Sequence, residues 1–163
     1  MSKKKKKRNK GYIYFLLIVI AIIICYLSIF NKPSKFYLSD KYYNNGEYIT
    51  ATSSDIELLN NDSYLLYTYN NFCNLPVHCK DVFESIMKKY KVDVISIPFG
   101  EFKNTEFYKK VEYAPSVLII KDGKIVAYLD ANKDRDLQKY QDEDEFEKWL
   151  SEYIYLTKWG YYE

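Results

Sequence analysis

Two of the three cysteines and the only histidine of the chain occur in one short segment. Cys73, His78 and Cys79 all lie between Asn70 and Lys80. A thiolate attacks disulfide bonds and binds soft metal ions, so this segment is the first candidate for chemistry. Five residues separate the two cysteines, and their sulfurs meet if the loop between them curls back. The spacing therefore permits a disulfide without showing that it forms.

This segment joins a predicted strand to a predicted helix. Residues 64–69 form a continuous apolar and aromatic run, typical of a central strand buried on both faces. The helix ends at Tyr90, and its apolar side chains recur at spacings of three, four and seven residues, which gives it one buried stripe. Cys79 falls at or near the first helical turn, where the helix dipole and unpaired backbone N–H groups stabilise a thiolate.

A second candidate feature directly precedes another predicted strand. Ala114 and Pro115 stand just before the apolar run of residues 116–120. Proline donates no hydrogen bond to a sheet, so it belongs at the beginning of a strand rather than in its middle. The Ala114–Pro115 bond is a reasonable place for a cis peptide, although most X–Pro bonds are trans and the residues leave the isomer open.

The elements around these features alternate between strand and helix. The predicted strands are residues 48–52, 64–69, 92–97, 116–120 and 125–129, and the predicted helices are residues 55–60, the segment ending at Tyr90, residues 104–111 and residues 142–154. Ser53 or Ser54 is the expected cap of the first helix, with Glu57 completing a capping box. Asp122-Gly123 favours a type I′ hairpin turn. The predicted fold class is α/β, a mixed sheet of about five strands with helices on both faces and an antiparallel closing hairpin.

The N-terminal part of the chain predicts a membrane anchor. Residues 1–10 carry seven basic side chains and no acid, and residues 11–30 carry no charge. As a helix, the uncharged run spans about 30 Å, the thickness of a bilayer core, and the basic residues should stay in the cytoplasm. A cleaved signal peptide would need a shorter apolar core and a small-residue cleavage site, and a lipoprotein signal would need a small residue where Ile24 precedes Cys25.

Composition divides the chain into five parts. They are a basic cytoplasmic stub (1–10), a transmembrane helix (11–30), a linker or irregular lead-in (31–45), a globular domain (46–156) and a tail (157–163). After Lys10 there are 17 Lys and Arg against 22 Asp and Glu, a net charge of −5. This part offers no basic groove for nucleic acid, which excludes that class of partner. The expected location is the cell membrane, single-pass, with the domain outside the cytoplasm and the oligomeric state open.

Residues 46–156 resemble the thioredoxin family. The resemblance rests on the element order, the cysteine pair between central strand and helix, the proline before the hairpin and the closing amphipathic helix. The resemblance implies that Cys73 is the attacking thiol, Cys79 the resolving thiol and Pro115 a cis-proline that, with Ala114, helps to hold the substrate chain. Among its members, the chain is most similar to membrane-attached thioredoxin-like proteins of Gram-positive bacteria, including those called bacteriocin transport accessory proteins.

The chain departs from the family pattern at the cysteines. The family has Trp-Cys-X-X-Cys, whereas here Phe72 precedes Cys73 and the motif is CX5C, with Pro76 three residues after Cys73. The buried acid that the family carries six residues before the first cysteine falls here on Tyr67.

Two functions therefore stay open. The first is a membrane-anchored, extracytoplasmic thiol–disulfide oxidoreductase, whose partners would be protein clients, an unidentified redox partner and the lipid bilayer. The second is a non-catalytic binding or accessory domain whose cysteines form a structural disulfide, as exported domains often do. His78 would tune the neighbouring thiols when protonated. Three soft ligands without a fourth do not make a structural zinc site, so we expect no metal and no cofactor.

Overall fold

The computed structural model describes residues 10–30, 34–70 and 79–158, and the chain divides into two compact units with the boundary after Pro33. The first unit contains the helix α1 (Lys10–Phe30), whose described side chains are exposed. A search of the described residues finds no helix with the length and apolar character that a membrane crossing requires. The predicted transmembrane helix is therefore not confirmed and stays a prediction.

The described residues of the second unit form five strands and five further helices. The strands are β1 (Tyr48–Thr50), β2 (Tyr64–Tyr69), β3 (Val94–Pro98), β4 (Ser116–Lys121) and β5 (Lys124–Asp130). The helices are α2 (Ser53–Glu57), α3 (Cys79–Tyr90), α4 (Phe99–Phe102), α5 (Asp134–Leu137) and α6 (Glu143–Tyr153), with 3₁₀ turns at Asp40–Tyr42, Glu106–Lys109 and Gln138–Tyr140. The order of strand and helix follows the sequence prediction.

The strands form one mixed sheet in the order β1-β3-β2-β4-β5. β1 and β2 are parallel to β3, while β4 is antiparallel to both β2 and β5. β2 is the middle strand, and all of its residues except Tyr69 are buried. This confirms the predicted five-strand sheet, the central position of β2 and the antiparallel hairpin. Asp122 and Gly123 have φ values of 48° and 70°, as a type I′ turn requires.

The sequence predicts a linker or an irregular lead-in over residues 31–45, and for residues 34–45 the structure has a packed, irregular lead-in rather than a linker. Phe36, Leu38 and Tyr42 are buried in the core of the second unit. The backbone of Phe36 exchanges two hydrogen bonds with the end of α6, donating to Tyr153 and accepting from Tyr155, each at 3.0 Å. The segment lacks the periodicity of a helix or strand, but its separate apolar side chains still anchor an irregular backbone.

A buried carboxylate fixes the entrance to β1. Asp93 is 3% exposed, and its Oδ1 accepts hydrogen bonds from the backbone N–H groups of Asn45, Gly46 and Glu47 at 3.1, 2.8 and 2.9 Å. Gly46 has φ +74°, and a Cβ there would lie 2.5 Å from the carbonyl oxygen of Met87. Only glycine fits this turn, because both the conformation and the space exclude a side chain.

Three local predictions need correction. The cap of α2 is Thr52 in a capping box with Asp55, rather than Ser53 or Ser54 with Glu57. The predicted helix over residues 104–111 is a 3₁₀ turn preceded by α4. The polar stretch after β5 contains α5 and the 3₁₀ turn Gln138–Tyr140, which the pattern of apolar residues does not indicate.

Replacement of Asp93 by Ala should lower the free energy of unfolding by about 3 kcal/mol, because three backbone donors lose a charged acceptor in a buried site. Asp142→Ala is the matched control: its carboxylate caps α6 by accepting from Glu145 N at 3.0 Å in an exposed position, and its loss should cost about 1 kcal/mol. Urea unfolding followed by tryptophan fluorescence measures both. Equal losses in the two variants would contradict the role given to Asp93.

Candidate functional site

The described chain stops just before the cysteine segment and resumes at its end. Residues 71–78 lie outside the described residues, and with them the predicted attacking thiol Cys73 and the predicted tuning residue His78. Asn70 is the last described residue before this gap, and Cys79 is the first after it. The site is therefore built from Cys79 and from the groups around the two ends of the segment.

Cys79 is the first residue of α3 and is buried, with 2% of its surface exposed. Its Sγ lies 3.8 Å from the hydroxyl oxygen of Tyr67, within hydrogen-bond distance for sulfur. Side chains alternate between the two faces of β2. Tyr67 lies on the face that packs against α3, where its ring contacts Phe83. The position of the family's buried acid is thus occupied by a phenol that contacts the sulfur.

The Ala114–Pro115 peptide bond is cis, the isomer that the resemblance implied. Side chains from two distant parts of the sequence bind the carbonyl groups of Ala114 and Pro115. The Asn70 side-chain amide donates to the carbonyl oxygen of Ala114 at 3.1 Å, and the Tyr140 hydroxyl donates to that of Pro115 at 2.9 Å. Pro115 is buried, Ala114 is half-buried, and the preceding Tyr113 is 48% exposed. The proline segment is therefore a fixed surface rather than a free loop.

Asn70 and Tyr140 also contact the two elements that flank residues 71–78 in the sequence. Asn70 ends the chain that leaves β2 toward Cys73, and it also binds Ala114. The ring of Tyr140 packs against Phe83 of α3, with ring centroids 5.6 Å apart, while its hydroxyl binds Pro115. Asn70 and Tyr140 thus connect the proline segment to the end of β2 and to α3.

Phenol groups dominate the surroundings of Cys79. Burial raises the pKa of the Tyr140 hydroxyl well above its usual value, and the negative charges of Cys79, Asp130 and Asp136 raise it further. Burial also raises the pKa of Tyr48, whose ring lies 5.7 Å from that of Tyr67. These tyrosines stay protonated at neutral pH, so they can donate hydrogen bonds but cannot accept a proton in the way that a carboxylate does.

No cluster that could hold a metal ion is present within residues 10–30, 34–70 and 79–158. Cys73 and His78, the other two ligands weighed from the sequence, lie outside these ranges.

Sequence reasoning does not find Asn70 and Tyr140. Asn70 carries no signal, since an asparagine after a strand is common in loops. Tyr140 stands alone among Lys, Gln and acidic residues, so no apolar period marks it as buried, although it is fully enclosed.

The Tyr140→Phe variant should lose about 1–2 kcal/mol of unfolding free energy, because the Pro115 carbonyl loses its buried donor. Tyr64→Phe is the matched control, since the Tyr64 hydroxyl is buried without a hydrogen-bond partner among the described residues. Its removal should leave stability unchanged or raise it by up to about 1 kcal/mol. Urea unfolding of both variants measures the difference. A larger loss for Tyr64→Phe would contradict the role of Tyr140.

Comparisons with known proteins support the fold alone. No family profile matches the chain, and no curated protein matches it. A single-residue mutant of thioredoxin from Halobacterium salinarum NRC-1 has a TM-score of 0.50 and 20% sequence identity, and the match covers 71% of this chain and 97% of that one. Oxidised thioredoxin from Plasmodium falciparum gives a TM-score of 0.45 at 18% identity, covering 64% and 97% of the two chains.

The first of these similarities covers nearly the whole of a thioredoxin and 71% of this chain. The domain that follows α1 has a thioredoxin-like fold.

Proposed function

We propose that this protein is a thiol–disulfide oxidoreductase, anchored in the cell membrane by α1, with its thioredoxin-like domain outside the cytoplasm. The observation that carries the proposal is the joint placement of Cys79 and the cis-proline segment. Cys79 begins α3, and Tyr140, whose hydroxyl binds the Pro115 carbonyl oxygen, lies close enough to Cys79 for a negative charge there to raise the Tyr140 pKa. A structural disulfide alone would not need a fixed half-buried chain beside it.

In the proposed reaction the Cys73 thiolate attacks one sulfur of a client disulfide. The client's second sulfur leaves as a thiolate, and a mixed disulfide forms between Cys73 and the client. The Cys79 thiolate then attacks the Cys73 sulfur, which forms the Cys73–Cys79 disulfide and releases the client as a dithiol once its thiolates take up protons. A redox partner that donates two electrons restores the dithiol. With that partner an oxidant instead, the same steps run in reverse and the client is oxidised.

The burial of Cys79 supports this division of roles. With 2% of its surface exposed, its sulfur is accessible to a neighbouring residue but not to a folded client. Attack on a client disulfide requires access as well as thiolate character, so the first step falls to Cys73. Cys79 is suited to the second step, which is intramolecular.

Client proteins would bind along the proline segment. The half-buried Ala114 and buried Pro115 have their carbonyl groups held by Asn70 and Tyr140, so this backbone is already ordered before a client arrives. Ordering in advance lowers the entropy cost of binding an extended chain. The exposed ring of Tyr113 offers an apolar contact beside it.

The membrane part of the proposal is supported by the sequence of α1. Residues 11–30 carry no charge and, at 1.5 Å per residue, extend about 30 Å, enough for the hydrocarbon core of a bilayer. The seven basic residues in 1–10 favour a cytoplasmic N-terminus. The domain would then lie where disulfides persist, which suits either direction of exchange.

One observation favours a second function, a non-catalytic accessory domain with a structural disulfide. Tyr67 replaces the buried acid, so no carboxylate at that position can accept the proton of Cys79. A disulfide in such a domain would serve stability alone.

Trapping in cells separates the two functions. In Cys79→Ser the mixed disulfides of Cys73 should accumulate, because the resolving thiol is missing, and they should appear on non-reducing gels after acid quenching. Cys73→Ser, which keeps Cys79 but loses the attacking thiol, is the matched control and should trap nothing. We also expect a Cys73–Cys79 reduction potential above about −300 mV, the range of working redox pairs. A lower potential without trapped clients would establish the structural disulfide instead.

The proposed orientation in the membrane has a separate test. Intact cells treated with a membrane-impermeant lysine reagent should be labelled at exposed lysines of the domain, such as Lys124, and not at Lys3 to Lys7. Peptide mass spectrometry reads both sets, and lysed cells provide the control in which both are labelled. Labelling of the N-terminal lysines but not of Lys124 in intact cells would reverse the proposed orientation.

A further inference from the structure

We propose that the Tyr67 hydroxyl donates a hydrogen bond to the Cys79 sulfur and stabilises the thiolate that forms there during exchange. This inference rests on the proposed function and deepens it, because it names the group that takes part in the step carried out by Cys79. The direct observation is the distance of 3.8 Å between the Tyr67 oxygen and the Cys79 Sγ in a buried site.

The position of the Tyr67 hydroxyl is fixed before any reaction occurs. Tyr67 is 6% exposed and lies in the central strand, paired with Ser96 on β3 and Val117 on β4. Its ring makes an edge contact with Phe83 at a centroid distance of 5.5 Å and stacks on Tyr69 at 5.8 Å. A donor held in this way needs no reorganisation when charge develops on the sulfur, which is the condition for effective electrostatic stabilisation.

The direction of the hydrogen bond follows from the acidity of the two groups. In general a thiol is a stronger acid than a phenol, so a thiolate beside a phenol accepts the hydrogen bond from it. While Cys79 is a thiol, either atom could be the donor. A thiolate has no proton to give, so the hydrogen bond must then run from the phenol to the sulfur.

The charged state of Cys79 occurs in both directions of exchange. When Cys79 resolves a mixed disulfide, it must first lose its proton to solvent, and its thiolate then attacks the Cys73 sulfur. When a thiolate attacks Cys73 in the Cys73–Cys79 disulfide, Cys79 leaves with the electron pair of the broken bond. Tyr67 keeps its own proton throughout and lowers the free energy of the anion in each case. Its role is therefore different from that of a carboxylate that accepts a proton.

Other ionisable groups around Cys79 must be kept constant in a test. Tyr48 approaches from β1 with Lys80 above its ring at 5.5 Å, and Tyr140 approaches from its 3₁₀ turn. Asp81 and Glu84 lie on α3 itself, and Asp130 and Asp136 act on Tyr140 from β5 and α5. Removing only the Tyr67 oxygen leaves all of these groups in place, whereas a larger change would disturb the packing of Tyr48 and Phe83.

The first measurement is the pH titration of the Cys79 Cβ chemical shift by NMR, in the full chain carrying Cys25→Ser and Cys73→Ser and labelled with carbon-13 cysteine, because this readout needs no reagent to reach a sulfur that is 2% exposed. Tyr67→Phe should raise the midpoint by about one pH unit, a tenfold loss of thiolate at neutral pH, as expected when a charged group loses one hydrogen bond. Tyr48→Phe is the matched control. Its buried hydroxyl has no hydrogen-bond partner among the described residues, so its removal should leave the midpoint unchanged.

The second measurement follows the reaction of Ellman's reagent with the reduced full chain, in which Cys25→Ser leaves Cys73 and Cys79 as the two thiols. Attack by Cys73 releases one thionitrobenzoate, and attack by Cys79 on the resulting mixed disulfide releases a second. Tyr67→Phe should slow the second release about tenfold at pH 7 and leave the first unchanged. Absence of the second release in the chain that keeps Cys73, Cys79 and Tyr67 would overturn the proposed exchange function, while the titration midpoint of Cys79 would still report on Tyr67.

An unchanged or lowered midpoint in Tyr67→Phe would overturn the inference, because the hydroxyl would then be neutral toward the thiolate or would act as an acceptor from the thiol. If Tyr67→Phe fails to fold, as shown by circular dichroism, a fluorinated tyrosine incorporated at position 67 replaces it. Its hydroxyl is a stronger donor, so the titration midpoint of Cys79 should fall below that of the chain with an ordinary tyrosine at position 67. A midpoint that stays the same or rises would contradict the hydrogen bond to the thiolate.

Discussion

The burial of β2 on both faces and both edges is the constraint on which the rest of the domain depends. Its neighbours β3 and β4 satisfy its backbone, and the alternation of its side chains sends Tyr64 and Leu66 to one face and Leu65 and Tyr67 to the other. A one-residue shift in register would exchange these two sets. The position of the Tyr67 hydroxyl beside Cys79 is thus determined by the same pairing that makes the core.

Irregular backbone near the site is held by side chains in place of sheet pairing. The proline segment lies outside β4, where Pro115 itself can donate no hydrogen bond. Asn70 and Tyr140 supply the donors that its carbonyl groups need, and Asp93 supplies the acceptor for three N–H groups before β1. Each of these residues is distant in sequence from the backbone that it binds, so the loops depend on the folded domain for their shape.

This dependence explains how much the sequence could predict. The strands, the helix α3, the hairpin at Asp122-Gly123 and the order of elements follow from local patterns that need no knowledge of the partner. The packed lead-in at 34–45 and the burial of Tyr140 do not, because single aromatic side chains in polar surroundings become buried only through contacts made far along the chain. Within the candidate site, Cys79 and Pro115 are recognisable by residue type, whereas Asn70 is recognisable only by its contact with Ala114.

The two hydrogen bonds between Phe36 and the end of α6 have a practical consequence for where the domain begins. A fragment that starts at residue 46, where the change in sequence pattern suggests a boundary, would lack the buried side chains of Phe36, Leu38 and Tyr42 and would uncover Ile154. It would also lose the partner of Asp93 at Asn45. A recombinant domain cut there would expose the apolar surface at which its first and last segments pack together, and it would be prone to proteolysis and association. A domain that begins at Ser34 keeps the contacts of Phe36 with the end of α6.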